Sequence, residues 1–151
     1  CCVWCVKRRR TLALLGSVVA GTAGCLDATG QPNVTGTEPT LEPGTETTLT
    51  VDAENVGSMH VSALPSMSPE PDGVYVDLHE ADPTPRPSSG AESFPPYWNW
   101  RRTRQTVSVT LPVRVGPDVQ PGGYEYGVTV WNDADRSGER TERMFTIPVT
   151  A

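Results

Sequence analysis

The residues best equipped for recognition or chemistry lie in two short stretches. Phe94, Tyr97, Trp98 and Trp100 fall within seven positions and are followed at once by Arg101, Arg102 and Arg104. Four of the nine aromatic residues after Cys25, and three of the eight arginines, are gathered there. Trp, Tyr and Arg dominate binding hot spots, and aromatic faces stack on sugar rings or on cations. All seven are therefore candidate contacts to a protein or a glycan. The same composition has a second use, in which Trp98 and Trp100 fold inward to close one end of a domain and the arginines neutralise neighbouring carboxylates. The other stretch is Asp133-x-Asp135-x-Ser137-Gly138. Oxygen ligands at alternate positions with glycine at the sixth resemble the start of a calcium loop, which makes Asp133, Asp135 and Ser137 candidate calcium ligands. Met144 stands at the twelfth position, where a bidentate glutamate is needed, and Asp, Ser and Gly also build ordinary hairpin turns.

Catalysis has less to work with. His60 and His79 are the only histidines, and neither sits in a pattern that resembles a nucleophilic triad or a metal motif. No cysteine follows Cys25, so that part of the chain has neither a disulfide nor a thiol nucleophile. The expectation is a non-catalytic protein with no cofactor beyond the calcium just considered.

The N-terminal region reads as an address. Lys7-Arg8-Arg9-Arg10 precedes an apolar run from Leu12 to Ala20, which ends in the small residues Thr22-Ala23-Gly24-Cys25. This is the three-part layout of an export signal, and the run is shorter than the roughly 20 apolar residues that span a bilayer. A core helix would instead need a polar face, and the run offers only Gly16 and Ser17. Arg9-Arg10 resembles the paired-arginine signature of twin-arginine export. Ala23-Gly24-Cys25 resembles a lipobox, with Thr22 where leucine is commoner; the resemblance implies lipid on the Cys25 sulfur and a mature chain that starts there. Residues 1–24 are thus expected to be a signal peptide, and the protein to face outward from the membrane that holds its lipid anchor. Cys1, Cys2 and Cys5 lie upstream of the basic cluster, where such a signal would begin, and an over-extended start is the expected explanation. As a metal cluster they lack a fourth ligand.

From Cys25 onward there are 8 arginines, no lysine and 18 carboxylates, a net charge of −10. Such a surface repels nucleic acid and anionic lipid headgroups, so nucleic acid is not an expected partner. With the paired arginines and the lipobox, the lysine-free acidic body resembles surface lipoproteins of halophilic archaea, which implies export and adaptation to salt. Residues 25–45, rich in Pro, Gly and Thr, read as a flexible tether. Within it Asn33-Val34-Thr35 is a glycosylation sequon, making Asn33 a candidate acceptor.

The body, residues 46–151, alternates with a period of two. Leu49, Val51 and Ala53 share one face, then Asn55-x-Gly57 is expected to turn the chain; weaker runs follow at His60 to Leu64 and Val74 to Leu78. A proline-rich connection is expected from Leu78 to Gln105. Val107, Val109, Leu111, Val113 and Val115 form the strongest pattern, in which Pro112 points to an edge or a bulge. Tyr124, Tyr126, Val128 and Val130 resume it, and Phe145, Ile147 and Val149 close it. The expected fold is all-β, an antiparallel sandwich of about seven strands. Pro43-Gly44 with Leu49-x-Val51 and Asn55-x-Gly57, followed by Val119-x-Pro121-Gly122-x-Tyr124-x-Tyr126, resembles immunoglobulin-like domains of cell-surface proteins, including the cell-adhesion-related domain of bacteria and archaea. That resemblance implies a corner role for Tyr124, its hydroxyl bonding back to the backbone, and leaves the ligand open. A surface binding or accessory module is expected, with a purely structural envelope module, calcium-stabilised or not, as the alternative.

Overall fold

The structure, a computed structural model, describes residues 30–90 and 93–151. Arg9, Arg10, Cys25 and the rest of the leader lie outside the described residues. Among the described residues eight strands form: β1 (Asn33–Gly36), β2 (Glu46–Ser62), β3 (Val74–Val76), β4 (Asp82–Thr84), β5 (Ser89–Gly90), β6 (Tyr97–Val115), β7 (Gly122–Trp131) and β8 (Arg140–Val149). They pair antiparallel in the order β3-β6-β2-β7-β8, with β1 added to β2 and with β4 and β5 added to β6. The expected all-β antiparallel sandwich is what the chain adopts.

The alternation explains why. Leu49, Val51 and Ala53 of β2 point inward opposite Leu111, Val109 and Val107 of β6, while Tyr126, Val128 and Val130 of β7 and Phe145, Ile147 and Val149 of β8 supply the rest of one continuous core. Burying a Val, Leu or Phe side chain is worth about 1.5–3 kcal/mol, so these period-two runs carry the fold.

Four local expectations are corrected. The sheet begins inside the segment expected to be tether: Val34 is 1% exposed in β1, which pairs with β2 at residues 51–54. The chain then crosses to β8, where Leu41 N–H donates to Pro148 O at 2.8 Å and Leu41 O accepts from Thr150 N–H at 2.9 Å. Two apolar side chains suffice because their backbone is paired.

Asn55-Val56-Gly57 does not turn the chain. Strand β2 runs through it, and Asn55 takes the left-handed φ of 55° that Asn tolerates. At this level the register with β6 shifts, so that Gly57 alone faces residues 100–103 across a wide bulge. On its other edge β2 leaves β1 and takes up β7 over residues 58–62. A side chain at 57 would put its Cβ 2.3 Å from the Asp133 backbone, so only glycine fits.

The long connection from Leu78 to Gln105 is half strand. It contains β4, β5 and nearly half of β6, and Trp100 Nε1–H donates to Pro85 O at 2.8 Å to fasten the proline-rich part over the core. Pro112 is interior, paired with Thr48, but its ring nitrogen lies on the side of β3, where Asp77 N–H donates to Pro112 O at 2.8 Å and gets no N–H in return. Strand β3 ends one residue earlier.

The three ion pairs among the described residues all use Arg114, which holds Glu46 at 3.0 Å, Glu80 at 3.6 Å and Asp77 at 3.7 Å.

Tyr126 is wholly buried, stacked on Phe145 with ring centres 5.2 Å apart. Burial first, and the Glu38 charge second, push its phenol above the ordinary value of 10.0. A pKa raised on folding adds stability that is complete below pH 10 and is lost as the pH climbs through the folded value. Unfolding free energy should therefore decline above pH 10, and Tyr126→Phe should flatten that decline in urea titrations at stepped pH. An unchanged slope would mean that the phenol is solvated.

Candidate binding site

Alternation decides the fate of the aromatic cluster. Strand β6 sends Trp98 and Trp100 into the core, at 6% and 0% exposure, and turns Tyr97 and Asn99 to the solvent side. Trp100 is thereby unavailable to any ligand. The inward packing weighed for these two tryptophans is the one realised, because Trp98 lies opposite Met59 of β2, which in turn lies opposite Val130 of β7.

On the outer side the register builds rows across four strands. Asn99, Ser58, Trp131 and Arg140 align in one row, and Tyr97, His60, Thr129 and Glu142 in the next. Tyr97 is the centre of this face. His60 stacks on one side of its ring at 4.0 Å and 8°, the Arg136 guanidinium lies 4.3 Å from its centroid, and Trp131 is tilted at 45° with centroids 6.1 Å apart. A cation over an aromatic face contributes about 0.5–1 kcal/mol where exposed and more where dry. His60 Nδ1 lies 3.1 Å from Pro96 O; a carbonyl only accepts, so Nδ1 carries a proton and the ring is fixed. Ser58 Oγ–H donates to Asn99 Oδ1 at 2.8 Å and orients that amide as well. Tyr97, His60, Asn99 and Trp131 are all half-buried, which leaves part of each available at the surface.

Arg136 reaches Tyr97 because the loop between β7 and β8 folds back over the break at Gly57. Thr103 Oγ–H donates to Asn132 O at 2.7 Å, and Asn132 N–H to Glu139 O at 3.0 Å. Inside the loop the Ser137 hydroxyl lies 2.8 Å from Asp133 Oδ2 and 2.9 Å from Asp135 Oδ1, one proton shared between two carboxylates. Partial burial works to raise the Asp133 carboxyl, but hydrogen bonds from Ser137 and the Gly138 backbone outweigh it and hold the group below the usual carboxylate range. Asp133, Asp135 and Ser137, the candidate calcium ligands, bond to one another in a turn. Among the described residues no group of three or more His, Cys, Asp or Glu side chains is placed to hold a metal ion.

The remaining candidates disperse. Phe94, 42% exposed, stacks on His79 at 4.7 Å beside a groove of 430 Å³ that Trp98 also lines. Arg101 and Arg102 sit in the bulge, and Arg104 follows opposite Val56; all three are exposed. Asn33 is exposed on β1 at the rim of a 480 Å³ groove. His60, Trp131 and Arg136 were not among the residues singled out for binding. Trp131 was the readable one, since it falls on the outward phase of β7. Tyr124 meets the corner role implied by resemblance, donating its hydroxyl to Gln120 O at 2.9 Å.

No protein-family model matches the sequence, and no curated protein does. Similar solved structures include the SafD adhesin of Salmonella, 10% identical with a TM-score of 0.48 and covering 81% of this chain and 100% of that one. AggA, the major subunit of aggregative adherence fimbriae type I of Escherichia coli, is 16% identical with a TM-score of 0.40, covering 81% and 96%. A non-cellulosomal cohesin from the archaeon Archaeoglobus fulgidus is 10% identical with a TM-score of 0.43, covering 81% and 93%. Likeness at this level concerns strand arrangement and says nothing of ligands.

With Asp133 and Asp135 both turned to Ser137 and Met144 in place of a glutamate at the twelfth position, calcium should leave the fold alone. The melting temperature at fixed high salt should be the same with added calcium as with chelator; a rise with calcium would show that the turn opens to hold the ion.

Proposed function

We propose that this chain is a non-catalytic binding module, held on the outer face of a membrane by lipid on Cys25 after export through the Arg9-Arg10 signal. The observation that carries the binding role is the Tyr97 stack, with His60 beneath, Arg136 above and Trp131 alongside, on the solvent side of paired strands. Aromatic rings and an arginine preset on rigid elements lose little side-chain entropy when a partner arrives, which is the arrangement that recognition rewards. The leader motifs and the lysine-free acidic body support the address. In this reading the partner is another surface protein or a glycan, reached beyond the membrane, and an Asn33 glycan would sit on a different part of the sheet.

A purely structural envelope module is the second reading, and the same variant separates the two. Tyr97→Ala with Trp131→Ala trims the outer side of the sheet and leaves Trp98 and Trp100 in the core. Tested on arrays of surface proteins and glycans, the full-length wild type should be retained, and the double variant should keep its fold while losing about tenfold or more in affinity. Equal retention of a folded double variant would remove the binding role from this face and favour the structural reading.

A further inference from the structure

Five arginines converge on one corner of the sandwich from two distant segments. Arg101, Arg102 and Arg104 come from the β6 bulge and the residue beyond it, Arg136 and Arg140 from the loop between β7 and β8 and the start of β8. The segments meet because Gly57 admits the Asp133 backbone and because Thr103 bonds Asn132. All five side chains are exposed, and none makes an ion pair among the described residues, although 18 carboxylates are available in the chain. Two carboxylates of the same loop, Asp133 and Asp135, are turned to Ser137. A chain this acidic that leaves these five arginines without an ion pair among the described residues, at the edge of an aromatic face, is set up for an anion from outside.

We infer that the partner of the Tyr97 face is an acidic polysaccharide, its sugar rings against Trp131 and the edge of Tyr97, whose two faces His60 and Arg136 occupy, and its carboxylates or sulfates against Arg101, Arg102 and Arg104. This deepens, and rests on, the binding role proposed above. Among the described residues, peptide recognition by strand addition finds only short or proline-bearing edges, and β3 offers three residues. The outer edge of β8 is taken by Leu41 and carries Pro148, and the opposite edge, residues 82–90, has prolines at 83, 85 and 87. A helix needs an apolar groove, and the large exposed apolar side chains, Met67, Phe94 and Met144, belong to separate parts of the fold. A polymer lying on a flat row of rings, amides and guanidinium groups needs neither. Charge density selects further: duplex DNA carries one charge per about 1.7 Å and would be repelled by the net −10 body, whereas an acidic polysaccharide spaces its charges by whole sugar rings.

The test uses the full chain, with polygalacturonate, its fully methyl-esterified neutral form, a carrageenan bearing one sulfate per disaccharide, and polyglutamate as probes in affinity electrophoresis at stepped salt. The acidic polysaccharides should retard the wild type, less so as salt rises, while the neutral ester and polyglutamate should not. Arg101→Ala with Arg102→Ala and Arg104→Ala should keep the melting temperature and lose about tenfold or more in affinity; Tyr97→Ala with Trp131→Ala should also weaken binding. Equal binding of the neutral ester, dependent on Tyr97 and Trp131, would overturn the anionic assignment and leave the binding face standing. Equal binding of polyglutamate, indifferent to the two rings, would make the partner an acidic protein instead. No retardation by either acidic polysaccharide overturns the inference without touching the separate test of the binding role.

Discussion

The contact between Gly57 and the backbone of Asp133 sets the rest of the structure. At that level β2 exchanges β1 for β7 on one edge and slips register against β6 on the other. With a Cβ at 57 the loop from β7 to β8 could not descend, Thr103 could not bond Asn132, and Arg136 would not reach Tyr97. The break therefore does two things at once. It lets two long strands serve both halves of the sandwich, and it gathers an aromatic stack and a set of arginines at the place where the sheet is least regular. Bulges concentrate where a side chain must be re-aimed, and this one re-aims Arg101 and Arg102 outward.

The opposite problem, an open seam between β1 and β8, is met by side chains instead of a ladder. Thr141 Oγ–H donates to Pro32 O at 2.6 Å, Arg143 Nη1–H to Val34 O at 3.2 Å, and Thr146 N–H to Glu38 Oε1 at 2.8 Å. Each such bond is worth about 1 kcal/mol net, but their larger effect is to leave fewer free backbone groups along an edge that would otherwise invite another strand. A polar first strand with one buried valine is enough once its carbonyls are used this way. The same lacing ties residues 32–38 to the domain and shortens any tether to the residues before them.

Much of the fold was legible because burial on one face imposes a period of two. Val107 to Val115, Tyr126 to Val130 and Phe145 to Val149 show it without interruption, and each became a strand with the predicted face inward. Strand β1 was not legible: it has four residues, and its Val34 is diluted by the Pro, Gly and Thr around it. The aromatic segment was half legible. Its composition marked it out, but prolines at 83, 85, 87, 95 and 96 argued for a loop, and only the pairing of Tyr97 with His60 shows that the segment is strand. The site itself was beyond sequence reasoning, since His60, Tyr97, Trp131 and Arg136 are joined by register and by a glycine contact that no local pattern encodes. The self-bonded Asp133 turn was ambiguous for a similar reason, because calcium loops and hairpin turns draw on the same three residue types.

The most direct test of this account is the stability of Gly57→Ala by urea unfolding, read together with tryptophan fluorescence against a Trp131→Phe control that isolates that residue among the four tryptophans of the chain. The account predicts a loss of about 1–3 kcal/mol or more from overpacking against fixed backbone, with Trp131 in a more solvated environment as the loop lifts from the break. A Gly57→Ala protein as stable as wild type, with its tryptophan emission unchanged, would contradict it.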